Sequence, residues 1–151
     1  MNRTAGCYRT PKFLLLHAEA RTTAGVQVAS EPVWLIDVEA GDIEIGQALQ
    51  AALNAFVDGV PHPDRNEWRD HSARFLKAAG FRSWRSLENK ARSCWIRDGS
   101  GKVVITPLRN GGRTGDSKGF QPFGVPKIEV AKPVSAGDLG QALRTALDRA
   151  E

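Results

Sequence analysis

The chain has little of what builds most catalytic and metal centres. Its 151 residues include two cysteines, Cys7 and Cys94, and three histidines, His17, His62 and His71. Two cysteines are too few for a disulfide framework or for a zinc site, which takes about four ligands; they suit a reducing compartment. No Cys-x-x-Cys or His-x-x-x-His pair occurs, so neither a metal nor a cofactor is expected. His17 ends an apolar run, His62 sits between prolines, and His71 falls on a helical segment. Nucleophile–base pairs meet in space, so no triad follows from this order; all three read as structural or surface groups. No catalytic residue is expected, and the chain is not read as an enzyme. Long apolar runs are missing too: nothing approaches the roughly 20 residues of a membrane span. Phe13-Leu14-Leu15-Leu16 is too short for an export signal and is interrupted by His17 and Glu19. The cytoplasm is therefore the default location, with no membrane partner.

What is present fits one soluble domain over residues 1–151. Hydrophobic residues make up 41% and charged residues 25%, the balance of an ordinary globular protein. The net charge of +4 hides an asymmetry. Residues 1–70 carry 6 Lys/Arg against 10 Asp/Glu, a net of −4; residues 71–151 carry 15 against 7, a net of +8. Either these charges simply solvate a surface, or an acidic face is available to a basic partner.

One segment is written twice. Ile45-Gly46-Gln47-Ala48-Leu49, with Ala52 and Leu53, returns as Leu139-Gly140-Gln141-Ala142-Leu143, with Ala146 and Leu147. Apolar residues at i, i+4, i+7 and i+8 predict two amphipathic helices. Asp42 is the expected cap of the first and Ser135 of the second. A glycine at the same place in both suggests close approach of each helix to a sheet. Before the first helix, strands are expected over Lys12–Ala18, Val26–Val28 and Val33–Val38. Residues 1–11 lack periodicity and read as a loose arm. Asp58–Asp64 reads as a surface loop. A helix from Asn66 to Gly80 and a short turn at Ser83–Asn89 follow. Ser93–Asp98 and Lys102–Pro107 around Gly99-Ser100-Gly101 predict a hairpin, and Phe120–Phe123 and Lys127–Val130 are short extended pieces. The predicted fold is α+β: one mixed domain of two strand-rich halves, each ending in a similar helix packed on a sheet, with internal pseudo-twofold symmetry.

Three stretches could carry binding. The Gly-rich Arg109–Gly119 segment lacks the order of a phosphate loop, since Phe120-Gln121-Pro122 cannot open a helix after it; it reads as a connector or a partner contact. Phe81-Arg82-Ser83-Trp84-Arg85 either stacks nucleic-acid bases between arginines or anchors a short helix through its aromatics. The acidic residues Glu39, Asp42, Glu44, Asp58, Asp64, Glu67 and Asp70 either favour turns and helix starts locally or form a surface for a partner.

Several segments in a fixed order carry a resemblance. They are the first Gly-Gln-Ala-Leu helix, Phe75-Leu76-Lys77-Ala78-Ala79-Gly80-Phe81-Arg82-Ser83-Trp84, Ile105-Thr106-Pro107-Leu108-Arg109-Asn110, Gly119-Phe120-Gln121-Pro122 and the terminal Gly-Gln-Ala-Leu helix. From about residue 42 onward the chain resembles the immunity proteins of bacterial contact-dependent growth inhibition systems. The resemblance implies a small cytoplasmic protein that binds the C-terminal toxin domain of an effector delivered by neighbouring cells. Such toxins are often nucleases acting on tRNA or DNA, and immunity works by stoichiometric binding without catalysis. The shared motifs look like fold residues, so no toxin contact is carried over from them. A nuclease's substrate groove is rich in Lys and Arg, which makes the seven carboxylates above the expected toxin-binding pool. This chain is basic, however, so either its acidic part binds or the toxin surface it meets is itself acidic. The alternative is a small basic nucleic-acid-binding protein using Arg82, Arg85, Arg92, Arg97 and the 109–118 loop; under the first reading no direct nucleic-acid contact is expected.

Overall fold

The structure, a computed structural model, describes residues 2–151. Strands β1 (Arg3–Arg9), β2 (Phe13–Thr22) and β3 (Gln27–Asp37) lead into helix α1 (Asp42–Asn54). Strand β4 (Val57–Val60) and helices α2 (Arg65–Ala79) and α3 (Trp84–Glu88) form an insert. The second half runs through β5 (Arg92–Asp98), β6 (Lys102–Pro107), a ribbon of β7 (Arg109–Asn110) and β8 (Phe120–Gln121), then β9 (Ile128–Ala131) and helix α4 (Ala136–Arg149). The main sheet has the order β3-β2-β1-β5-β6-β9, with β4 pairing in parallel beside the end of β2. Two three-strand units are thus laid back to back about the antiparallel β1–β5 pair, and each is followed by one copy of the repeated helix. This is the α+β, pseudo-twofold arrangement that the repeat predicts.

Residues 3–9 are not an arm, and the structure corrects that expectation; Met1 lies outside the described residues. β1 is a central strand, hydrogen-bonded to β2 on one edge and β5 on the other. Ala5 and Cys7 face one side of the sheet, and Thr4, Gly6 and Tyr8 the other. Both sides are largely covered, so no polar–apolar alternation marks the strand. Likewise Val26–Val28 and Val33–Val38 belong to one strand, β3, which passes through Pro32. Proline is tolerated there because β3 is the sheet's edge. A bulge between His17 and Ala18 shifts the register midway along the β2–β3 pair. β2 runs four residues past the expected strand end at Ala18, to Thr22, and the expected loop at 58–64 begins with the last three residues of β4.

α1 and α4 pack side by side on one face of the sheet. Leu49, Ala52, Leu53, Leu143, Ala146 and Leu147 meet Cys7, Leu16, Cys94, Ile96 and Ile105 there. The paired glycines serve a different contact from the one their spacing suggested. A Cβ on Gly46 would lie 1.7 Å from the carbonyl oxygen of Ala136, and one on Gly140 would lie 1.8 Å from that of Asp42. Each glycine admits the first turn of the other helix, so the close approach is helix on helix. Asp42 is also not the cap of α1. Gly41 holds that position without a side-chain bond, and the Asp42 carboxylate instead accepts from Arg144 Nε of α4 at 3.1 Å. Ser135 caps α4 as expected, accepting from the Asp138 N–H at 3.1 Å.

The insert covers the opposite face, but only over the first half. Phe75, Leu76 and Ala79 of α2 and Leu87 of α3 close over Leu15, with Phe13, Val33 and Trp84 at the margin. His17 is buried beneath Phe75, with ring centroids 5.2 Å apart and edge-to-face, and its Nδ1 lies 2.9 Å from the Ala18 carbonyl. The ring occupies space left by Gly6, where a Cβ would come within 2.2 Å of Nε2. Burial lowers its pKa from 6.5 to about 4, against a small opposing effect of the Ala18 carbonyl. The unfolded chain therefore binds the proton first. Stability contributed by neutral His17 is complete above pH 6.5 and falls by roughly 1.4 kcal/mol per pH unit until about pH 4. Urea titrations across this window are expected to show that slope, and His17→Phe, which cannot be protonated, to flatten it. An unchanged slope in the variant would exclude His17 as its source.

Candidate interaction surface

Because the insert stops at β1, no helix lies over the outer face of β5, β6 and β9. A groove of about 460 Å3 runs along this bare face, lined by Thr4, Glu19, Trp95, Arg97, Thr106 and Lys127 among others. β5 is an interior strand of an antiparallel sheet, and its other face packs under α1 and α4. On the uncovered face a large aromatic, Trp95, is 51% exposed at the strand's centre. It stands opposite Gly6 on β1 and Thr106 on β6, two residues too small to shield it. Arg97, two residues on, projects from the same face and is exposed, as is Lys127 just before β9. Neither makes an ion pair among the described residues, whereas Lys102 on the same face is held by Glu129 at 3.0 Å.

The Thr4 hydroxyl is buried beside the Glu19 carboxyl. Burial pushes that carboxyl up, an effect the Thr4 hydroxyl only partly offsets. The groove therefore combines an accessible indole with two cations that are unpaired among the described residues. Aromatic and arginine side chains of this kind dominate binding energy at protein interfaces.

The seven carboxylates expected to bind a partner are spread over both faces of the sheet. Four have partners within the chain. Asp42 holds Arg144 across the helix pair. Asp58 accepts two bonds from Arg21, at 2.8 and 2.6 Å, which lower its pKa and join β4 to β2. Asp64 and Glu67 form a reciprocal capping box at the start of α2, at 2.8 and 3.1 Å. Glu39 in the β3–α1 turn, Glu44 on α1 and Asp70 on α2 are exposed and form no ion pair among the described residues.

The basic residues of the alternative reading are also divided. Arg92 caps α4, reaching the Leu147 and Asp148 carbonyls at 3.4 and 3.2 Å. Arg109 pairs with Glu151 at 3.2 Å and lies over the Phe123 ring, and Arg113 pairs with Glu88 at 3.4 Å. Phe81 and Trp84 pack on the second core, while Arg82 and Arg85 face solvent. Only Arg97 reaches the groove. His62 bonds to the Thr22 hydroxyl at 3.0 Å and His71 to the Ala29 carbonyl, both beside Trp68. Cys7 and Cys94 face each other across β1 and β5; burial pushes both thiols up, Cys94 to about 12. Among the described residues no helix is long and apolar enough to cross a membrane.

The sequence reading found Arg97 but missed Trp95, Thr4 and Glu19. Trp95 stands in Cys94-Trp95-Ile96, a run that looks like continuous core. Only its strand parity, once Cys94 and Ile96 are placed under the helices, shows that the indole points the other way.

No curated protein matches the chain. Among solved structures, a protein of unknown function from Neisseria meningitidis is similar with a TM-score of 0.80 at 16% identity, over 100% of this chain and 96% of that one. A CdiA-CT/CdiI toxin and immunity complex from Yersinia pseudotuberculosis is similar with a TM-score of 0.78 at 15% identity, over 100% and 98%. At these identities the likeness is one of fold. The family model described as CdiI, CDI immunity protein, matches residues 3–150. A match across two strand units, insert and both repeated helices leaves no part of the fold outside it, and the chain belongs to the CDI immunity protein family.

Proposed function

We propose that the chain protects its own cell in the cytoplasm by binding, one to one and without catalysis, the C-terminal toxin domain of a cognate contact-dependent growth inhibition effector. The toxin it neutralises is a nuclease, with tRNA or DNA as substrate. The observation that carries this reading is the family match over residues 3–150; the solved Yersinia pseudotuberculosis neighbour, a toxin and immunity complex, is in keeping with it. The test is to identify a large exported protein encoded beside this chain and to co-express its C-terminal domain with the chain. Growth is expected to be restored and RNA or DNA cleavage abolished, with the two proteins eluting as a stable complex. Unrestored growth with no complex would overturn the reading.

Within it, the seven carboxylates divide by role. Glu39, Glu44 and Asp70, free of ion pairs among the described residues, would steer encounter with the cationic substrate groove of a nuclease. Complementary charge of this kind raises association rates more than it slows dissociation. Reversing these three to Lys is expected to slow association about tenfold at low salt and to matter little at high salt. Stopped-flow mixing with the toxin domain measures this; a rate unchanged at low salt would exclude steering by these groups. Reversing Asp42, Asp58, Asp64 or Glu67 is expected to lower folding stability as well, because each holds an element in place.

A further inference from the structure

The bare sheet face carries a more specific assignment, which rests on the toxin-binding reading above. We propose that the groove over β1, β5 and β6 is the anchor point of the toxin domain, with Trp95 entering an apolar pocket of the toxin and Arg97 and Lys127 meeting toxin carboxylates. Two observations on this face agree. Trp95 is half-exposed at the centre of the uncovered face, between cross-strand neighbours too small to shield it. Arg97 and Lys127 line the same groove, and neither has a counter-ion among the described residues.

The charge also says which part of the toxin docks here. A nuclease's substrate groove is itself cationic, and Arg97 and Lys127 would repel it. The anchor therefore contacts an acid-flanked apolar element beside that groove, not the groove. The immunity protein would block substrate by overhanging the active site from a neighbouring surface, while Glu39, Glu44 and Asp70 act only on approach. Nucleic acid is the less suitable occupant. The face offers two unpaired cations and also carries Glu19 and Glu129, whereas single-strand binding needs a cationic track.

The experiment measures affinity and dissociation rate of the toxin domain identified by the co-expression test above against four forms of this chain. These are the unmodified chain, Trp95→Ala, Thr106→Arg and the Glu39/Glu44/Asp70 triple Lys variant. Trp95→Ala is expected to weaken binding at least about 30-fold, mainly through faster dissociation. Thr106→Arg, which fills the groove from β6 and covers the indole without removing it, is expected to weaken it comparably. Neither should lower the thermal midpoint appreciably, since both side chains are at least partly open to solvent. The triple variant should change association only. If the unmodified chain fails to bind the domain, the toxin-binding reading falls and this assignment with it. If it binds, and both groove variants stay within about threefold while remaining folded, the reading stands and the anchor lies elsewhere. Salt-sensitive binding of tRNA or duplex DNA that is lost in Trp95→Ala would reassign the groove to nucleic acid and overturn the proposal.

Discussion

Gly46→Ala and Gly140→Ala are each expected to destabilise the fold by about 3 kcal/mol or more, at the upper end of overpacking effects. The added methyl would lie 1.7 or 1.8 Å from a backbone carbonyl oxygen of the facing helix, and a backbone carbonyl cannot swing aside as a side-chain tip can. The helices must separate, and they share one layer of packing on the sheet, so Leu49, Leu53, Leu143 and Leu147 lose contacts together. In a chain of this size that loss lowers the thermal midpoint by about 6–12 °C. Two controls sharpen the test. Gly137→Ala lies in the first turn of α4, where its Cβ would meet only Ile43 Cγ1 at an ordinary 3.6 Å. It should be neutral, or stabilising by up to about 1 kcal/mol through helix propensity. The double variant Gly46→Ala/Gly140→Ala should cost less than the sum, because the first methyl already opens the gap that the second needs. Urea unfolding followed by circular dichroism reads all four; a loss under about 1 kcal/mol for both single variants would show that the crossing is not tight.

The second large effect concerns Asp98, whose side chain is 4% exposed. Arg3, its cross-strand partner on β1, donates to it through Nε at 3.1 Å and through Nη2, and Lys132 beyond β9 donates at 2.7 Å. Arg3 also reaches Asn54 at the end of α1, so this one carboxylate ties both strand units to a helix. Burial raises the Asp98 pKa, but the hydrogen bonds from Lys132 and Arg3 outweigh it, and the net shift is downward. In the native chain the site's contribution is therefore present above the unfolded carboxylate pKa and is lost as pH falls through the lower folded value. Arg3→Met with Lys132→Met leaves the carboxylate buried and uncompensated. We expect a loss of about 3 kcal/mol at pH 7, the low end for a broken buried pair because both cations are partly open to water. The sign of the pH dependence should also reverse. With its cations gone, burial alone sets the Asp98 pKa, which rises, so acidification through that value recovers stability in the variant. A double variant that loses nothing at neutral pH, or whose deficit grows on acidification, would contradict this account.

The repeat was legible in the sequence because it is scaffold. Ile45, Leu49 and Leu53 and their later counterparts keep a helical period, since a helix on a sheet buries one stripe. What they pack against was not legible. Gly46 and Gly140 signal a close approach, but only the crossing identifies its partner as Ala136 or Asp42. β1 escaped because pattern reading depends on one wet face, and Ala5, Gly6 and Cys7 have none. The acidic pool came from local density along the chain, yet Asp64, Glu67, Asp58 and Asp42 are occupied by contacts within the fold. Trp95 went unnoticed for the opposite reason. Its neighbours are core, and the feature that exposes it is the length of an insert that ends at Glu88, which covers half a face and stops.

The two copies of the helix also set the timing of the protein's first protection. Asp42 and Arg144, which bind α1 to α4, are 102 residues apart in the chain, and Arg3 and Asp98 are 95 apart. During synthesis the second edge of β1 therefore waits for β5, and the flank of α1 that meets α4 stays uncovered until residues 136–149 have left the ribosome. Contacts this distant in sequence form late and leave the nascent chain open to chaperones and to aggregation. A chain cut anywhere before α4 would leave that flank of the core exposed. For an immunity protein the useful quantity is then the stock of finished molecules, not the rate at which new ones are begun.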